Sequence, residues 1–237
     1  NQEGIDFYDR LIDALLEKNI EPFITLFHWD LPQVLQEKGG WLNPEIAKWF
    51  GEYSGILSDR FSDRVSNWFT LNEPQCFIGL GHYAGHKAPG LKLGVKDSLL
   101  ALHHSLLAHG LSVRALRDNA KKPIKVGPVP TGSVAYPTVD TPENRDAAYK
   151  ATFNVLGSEE DKHMCHRWKV PVNPLWNIAW YTDPIFLGEY PEQGIEALGD
   201  NVPKYTDEEM AIISQPVDFC GLNLYLSLIH ISEPTRQ

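Results

Sequence analysis

The chain of 237 residues has few of the features that mark secreted, membrane or nucleic-acid-binding proteins. Its three cysteines are odd in number and widely spaced, which favours reduced thiols over a disulfide framework. No apolar run approaches the roughly 20 residues that a membrane span needs. A formal net charge of −10 without a basic run argues against nucleic acid or an anionic membrane as a partner. What the chain does have is 43% hydrophobic residues, ample for a folded core.

The first residues of the chain leave a signal peptide in a preceding, missing segment an open alternative. The chain starts at Asn1 rather than Met, and no charged-then-apolar leader follows. This predicts an internal piece of a longer protein, whose compartment is unknown, with the cytoplasm favoured. The oligomeric state is unknown as well.

Helical and strand-like patterns alternate along the sequence. Apolar residues at helical spacing predict helices over 5–16, 44–57 and 99–116, and a capping box at 206–209 predicts another. Apolar runs predict buried strands at 22–27, 65–71, 124–129 and 217–224. Residues 131–190 form a Pro- and Trp-bearing excursion with a short helix near 147–155. Strands separated by helices indicate βα units and a parallel sheet.

The most informative segment is the strand that ends in Thr70-Leu71-Asn72-Glu73-Pro74. In parallel barrels the active site lies at the carboxyl ends of the strands, and a carboxyl group there can protonate a leaving group. Neighbouring residues of a regular strand face opposite sides, so Asn72 and Glu73 cannot both point inward from ideal geometry. We therefore expect an irregular backbone at this strand end.

Six segments, in this order and spacing, resemble the β-glucosidase family (glycoside hydrolase family one). They are LFHWDLP at 26–32, GGWL at 39–42, TLNEP at 70–74, APG at 88–90, DPIFLGEYP at 183–191 and DFCGLNLY at 218–225. The resemblance implies an α/β fold, a (β/α)8 TIM barrel, of which only about strands three to six are present. Residues 1–225 are thus predicted to form a partial (β/α)8 glycosidase domain.

The resemblance also implies a reaction and a set of site residues. The reaction is hydrolysis of a β-glucoside or oligosaccharide with terminal β-linked glucose or a close epimer, by double displacement and without a cofactor. Glu73 corresponds to the general acid/base. The implied sugar ligands are His28, Trp29 and Asn72, and the residues implied to lie beside the nucleophile are Asn223 and Tyr225.

One part of the catalytic machinery is absent from the sequence. A retaining hydrolase needs two carboxyl groups about 5–5.5 Å apart. The family carries the second one in an Ile-Thr-Glu-Asn-Gly type motif, which does not occur here. We predict an active parent protein and an inactive chain when this chain stands alone. Two alternatives stay open: a 6-phospho-β-glycosidase, whose phosphate ligands would lie in the missing half, and an inactive half-barrel with at most weak sugar binding.

The resemblance stops abruptly after residue 225. Residues 226–237 look like the translation of a sequencing adapter, and we predict a non-native tail. The open outer strands of half a barrel also predict poor solubility when the chain is expressed alone.

The remaining histidines and the cysteines have no assigned role. His103, His104 and His109 share one predicted helix, but the sequence offers the pair His104 and His109 no acidic partner at helical spacing, so we predict no metal site. His109 falls on the apolar stripe and is expected to be buried. The cysteines have no catalytic context in the sequence.

Overall fold

The computed structural model describes residues 1–132, 135–137, 139–155 and 174–223. Its sheet has three parallel strands in the order β1 (Phe23–Phe27), β2 (Asn67–Asn72) and β3 (Lys125–Val129). Phe27 pairs with Leu71, so β1 and β2 end at the same edge of the sheet. The first three predicted strands and their parallel arrangement are therefore confirmed.

Helices separate the strands along the chain, as predicted. They are α1 (Gln2–Glu17), α2 (Gln33–Gln36), α3 (Glu45–Phe61), α4 (Val95–Asp118), α5 (Pro142–Thr152), α6 (Ala179–Phe186), α7 (Glu192–Leu198) and α8 (Asp207–Ile213). A π-helix at Gln75–Tyr83 follows β2 directly, and single 3-10 turns lie at Gly40–Leu42 and Gly199–Asn201. None of the described helices has the length and apolarity needed to cross a membrane.

Two helix starts follow from local side-chain chemistry. The Oδ1 atom of Asn43 accepts the N–H of Glu45 at 3.0 Å, and Pro44 already has helical dihedral angles, so α3 begins where the sequence predicts it. At α8, Thr206 and Glu209 exchange reciprocal side-chain-to-backbone hydrogen bonds of 3.1 and 2.8 Å. This is the capping box that the sequence predicts.

Helix α4 is the centre of the hydrophobic core. It packs against α3, α8 and β2, and small residues such as Ala108 and Gly110 allow close approach on several sides. A polar contact also joins it to the sheet, because Thr70 Oγ1 lies 2.7 Å from His109 Nδ1. His109 is 1% exposed, as expected from the apolar stripe. This packing fixes the central strand whose end carries Asn72 and Glu73.

The predicted strand at 217–224 is wrong within the described residues, which reach 223. The segment runs beside β3 and the residue after it, and its backbone N–H groups donate to their carbonyls: Asp218 N–H to Val126 O (2.8 Å), Gly221 N–H to Pro128 O (2.9 Å) and Asn223 N–H to Pro130 O (3.2 Å). In the other direction, the Val126 N–H donates to the Asp218 side chain at 2.9 Å. The return bonds cannot form at Pro128 and Pro130, because proline has no N–H. A single parallel bridge, Thr131 to Asn223, remains.

Candidate active site

The candidate site lies at the carboxyl edge of the sheet. His28 and Trp29 directly follow β1, Asn72 ends β2, and Glu73 comes next. Residues 217–223, which run beside β3, bring Asn223 to the same edge. Parallel strands deliver their carboxyl ends to one side, which is why residues far apart in sequence meet here.

The backbone is irregular at both strand ends. Glu73 has a φ of 44° and Trp29 a φ of 81°, conformations that non-glycine residues adopt rarely and at a cost. The pairing of β2 with β3 also shifts register between Phe69 and Asn72. As a result the consecutive side chains of Asn72 and Glu73 both reach Asn223, whose Nδ2 lies 3.0 Å from Asn72 Oδ1 and 2.8 Å from Glu73 Oε1. The expected irregular backbone is confirmed.

The carboxyl group of Glu73 is buried and hydrogen-bonded. Glu73 is 5% exposed, and its backbone N–H donates to Val129 O at 2.7 Å. Asn223 Nδ2 donates to Oε1, and the Cys76 thiol donates to Oε2 at a sulfur–oxygen distance of 3.3 Å. A buried carboxyl group needs such partners to offset its loss of hydration.

The Cys76 thiol lies against the Glu73 carboxyl group, a contact that the sequence analysis did not predict. Burial, together with the neighbouring Glu73 carboxyl, raises the pKa of the Cys76 thiol to about 12. The sulfur therefore keeps its proton near neutrality and acts as a donor. The sequence did hold a signal, because a residue three positions after Glu73 shares its face once the chain turns helical.

The predicted sugar ligands lie in one hydrogen-bonded row. His28 Nε2 lies 3.4 Å from Asn72 Nδ2, and the Trp29 indole N–H donates to Asn72 O at 2.9 Å. His28 is exposed and Trp29 half-buried, so a ligand can reach the imidazole and the indole ring. Lys87 Nζ lies 5.6 Å from the centroid of that ring. Partly exposed aromatic rings of this kind suit the apolar faces of sugars.

The structure brings five of the six predicted site residues together: His28, Trp29, Asn72, Glu73 and Asn223. Tyr225 and the predicted tail at 226–237 lie outside the described residues. Sequence reasoning missed Gln75 and Thr131, which are hydrogen-bonded to each other behind Asn223. No local pattern could have paired them, because 55 residues separate them in the sequence.

The three histidines of α4 have partners away from the site. Their Nδ1 contacts are His103 to Tyr190 Oη (2.9 Å), His104 to Trp41 O (2.9 Å) and His109 to Thr70 Oγ1 (2.7 Å). Burial lowers the pKa of all three, that of His103 and of His109 to about 4. Within the described part of the chain, no group of three or more His, Cys, Asp or Glu side chains could hold a metal ion.

The structure is that of an α/β protein with a buried carboxyl group, amide partners and an accessible aromatic ring at the carboxyl edge of a parallel sheet, where such folds carry their active sites. The family follows from comparison: the model for glycosyl hydrolase family 1 matches residues 1–167 and 169–237. The chain belongs to this family, a family of hydrolases.

Several relatives are similar over nearly the whole chain. A 1,4-β-D-glucan glucohydrolase of Thermotoga neapolitana is 42% identical over 229 residues, covering 95% of this chain and 48% of that protein. β-Glucosidase A of Thermotoga maritima is 39% identical, covering 95% and 45%. The structure of a Thermotoga maritima β-glucosidase in complex with deoxynojirimycin superposes with a TM-score of 0.74 at 38% identity, covering 94% of this chain and 45% of that one.

The chain spans about half the length of the curated relatives it matches. Its parallel α/β structure matches part of a (β/α)8 barrel, which confirms the predicted fold class.

Proposed function

We propose that the protein is a retaining β-glycosidase, β-glucosidase-like, that hydrolyses terminal β-linked glucose or a close epimer by double displacement. The observation that carries this proposal is the buried Glu73 carboxyl group, held by Asn223 and Cys76 beside His28 and Trp29 at the strand ends. The names of the relatives, glucohydrolase and β-glucosidase, support the same substrate class.

Each residue has a chemical role in this proposal. Glu73 gives its proton to the glycosidic oxygen while a second carboxylate attacks the anomeric carbon, and then takes a proton from the water that hydrolyses the glycosyl-enzyme. Asn72 binds the sugar 2-hydroxyl, a bond that strengthens in the transition state. His28 and Trp29 hold the rest of the ring. Tyr225, with Asn223, would support the nucleophile.

The second carboxylate must come from outside the motifs present here. The test therefore uses the whole-frame protein, by which we mean the product of the complete open reading frame that encodes this chain. Reading the source locus past residue 225 also tests the prediction that residues 226–237 are not native. The frame would continue into a Thr-Glu-Asn-Gly-like motif if both predictions hold.

The substitution Glu73→Gln in the whole-frame protein tests the acid/base role. We expect kcat/KM to fall by about 10²–10⁴-fold for an alkyl β-glucoside, since its leaving group needs a proton. The loss should be smaller for 2,4-dinitrophenyl β-glucoside, whose leaving group is stable as an anion. Glu21→Gln is the matched control, because Glu21 lies at the opposite end of the sheet and bonds to Asn67 Nδ2.

Residues 1–237 alone serve as the second arm of the experiment. Without the nucleophile, covalent catalysis has no first step, so we expect no hydrolysis of an aryl β-glucoside above the blank. Clear turnover by this chain, or rescue by added azide or formate, would contradict the assignment. Full activity of Glu73→Gln on the alkyl glucoside would overturn the role of Glu73.

A further inference from the structure

Gln75 makes an unusual tether behind the candidate site. It is the second residue after Glu73, and its side chain is 0% exposed. Both ends of its amide bond to the backbone of Thr131: Nε2 donates to Thr131 O, and Oε1 accepts the Thr131 N–H at 3.3 Å. A buried amide with both ends paired to one residue fixes that residue relative to the start of the π-helix.

Thr131 passes this constraint on to Asn223. The Thr131 hydroxyl donates to Asn223 O at 3.0 Å, and the preceding carbonyl, Pro130 O, accepts the Asn223 N–H at 3.2 Å. Asn223 therefore has its backbone held at both its N–H and its C=O.

Within the described residues, sheet pairing reaches Asn223 through one isolated bridge, that to Thr131. The backbone N–H groups of the segment from Asp218 to Asn223 donate to β3 and Pro130, but Pro128 and Pro130 have no N–H with which to bond back to the carbonyls of the segment. The Thr131 hydroxyl adds a side-chain donor to this segment beside the isolated bridge between Thr131 and Asn223. The side-chain hydrogen bonds thus reinforce that bridge at the point where Asn223 meets Glu73.

We propose that Gln75 and Thr131 are positioning residues for the acid/base, through Asn223. The contacts form a closed ring. The backbone joins Glu73 to Gln75, and the Gln75 side chain is hydrogen-bonded to Thr131. Thr131 is hydrogen-bonded to Asn223, whose Nδ2 donates to Glu73 Oε1 at 2.8 Å. The inference rests on the proposed function, which assigns the acid/base role to Glu73. It adds two residues that do not touch the substrate.

The test compares Thr131→Val with Thr131→Ser in the whole-frame protein. Valine keeps the volume of threonine but removes the hydroxyl donor, whereas serine keeps the donor. We expect Thr131→Val to lower kcat/KM for an alkyl β-glucoside by about tenfold, because small displacements of an acid are costly. The effect on 2,4-dinitrophenyl β-glucoside should be much smaller, and Thr131→Ser should stay close to the unsubstituted protein.

Gln75→Met provides a second variant with the same expected pattern, since methionine fills the space without either hydrogen bond. Ser58→Ala is the control, because it removes a buried bond to Leu116 O between α3 and α4, away from the site. If Thr131→Val and Gln75→Met lower kcat/KM by the same factor for both glucosides, as a loss of folded protein would, the positioning role is overturned. Equal kcat/KM values of Thr131→Val and Thr131→Ser for the alkyl β-glucoside would also overturn the positioning role.

The two levels of the hypothesis fail differently. If the unsubstituted whole-frame protein hydrolyses neither glucoside, the proposed function falls and the positioning role falls with it. If that protein is active and sensitive to Glu73→Gln but indifferent to Thr131→Val, only the positioning role is wrong. A readout without turnover is the ¹H–¹⁵N signal of the Asn223 side-chain amide, which should move in Thr131→Val and not in Ser58→Ala.

Discussion

At the scale of single residues, the buried His109 makes the free energy of unfolding depend on pH. His109 has no solvent exposure beyond 1%, and burial lowers its pKa to about 4 from the usual 6.5. The folded chain protonates this imidazole only near pH 4, whereas the unfolded chain does so near pH 6.5. Between these values the unfolded state binds more protons. The stabilisation is therefore complete above pH 6.5 and is lost as the pH falls toward 4.

The substitution His109→Gln should flatten this dependence in the whole-frame protein. For the unsubstituted protein, His109 alone should remove about 2 kcal/mol of unfolding free energy between pH 7.5 and pH 5. Glutamine cannot titrate, so the variant should lose less stability over the same interval, as measured by urea unfolding at both pH values. His86→Gln, at an exposed histidine, is the control. An unchanged pH dependence in His109→Gln would count against the burial argument.

At the scale of elements, the contact between α4 and α8 depends on a glycine. A Cβ atom built on Gly110 would lie 1.9 Å from Ile212 O, a backbone atom that cannot swing aside. A glycine inside a helix is unfavourable by helix propensity alone. The close approach of α8 explains why α4 has one there.

The pair Gly110→Ala and Gly4→Ala tests this explanation. Both glycines lie inside helices, but a Cβ on Gly4 would meet nothing within 4 Å. We expect Gly110→Ala to destabilise the whole-frame protein by about 3 kcal/mol through overpacking. Gly4→Ala should instead stabilise it by about 0.5–1 kcal/mol. Thermal melts of the two variants check this, and two shifts of the same sign would refute it.

At the scale of the whole molecule, the described sheet has an open apolar side. β1 pairs with β2 on one edge, and no described strand lies on its other edge. Phe23 is 53% exposed on β1, and α1 exposes Phe7 and Tyr8. The ring of Phe23 also lies 5.9 Å from that of Phe69, so an aromatic surface continues onto β2. Such edges and surfaces favour association with other chains.

Residues 1–237 expressed alone should therefore be mostly aggregated in size-exclusion chromatography. The substitution Phe23→Lys should raise the soluble fraction, because an inward-facing charge on an edge strand opposes pairing. Val34→Lys is the control, since Val34 is an exposed apolar residue away from the edge. A sharp monomer peak with a cooperative melt for the unsubstituted chain would contradict this prediction.

The sequence by itself determined the elements whose information is local. The alternation of helices and strands, the three strands β1 to β3, and the start of α8 all follow from periodicity and capping residues. Glu73 was predicted as the acid/base from its place at the end of a buried strand and from the resemblance of six segments to the β-glucosidase family. Even the irregular backbone at Asn72 and Glu73 was predictable, because side-chain alternation is a local rule.

Only the tertiary structure decided how distant segments complete the site. The segment at 217–223 is not a strand because its neighbour, β3, contains Pro128 and is followed by Pro130, and both lack the N–H group that a ladder requires. The same structure sets Asn223 and Cys76 against Glu73, and Gln75 against Thr131. These pairings depend on how whole helices pack against the sheet. A local sequence pattern holds no information about which distant backbone atom will lie opposite a given side chain.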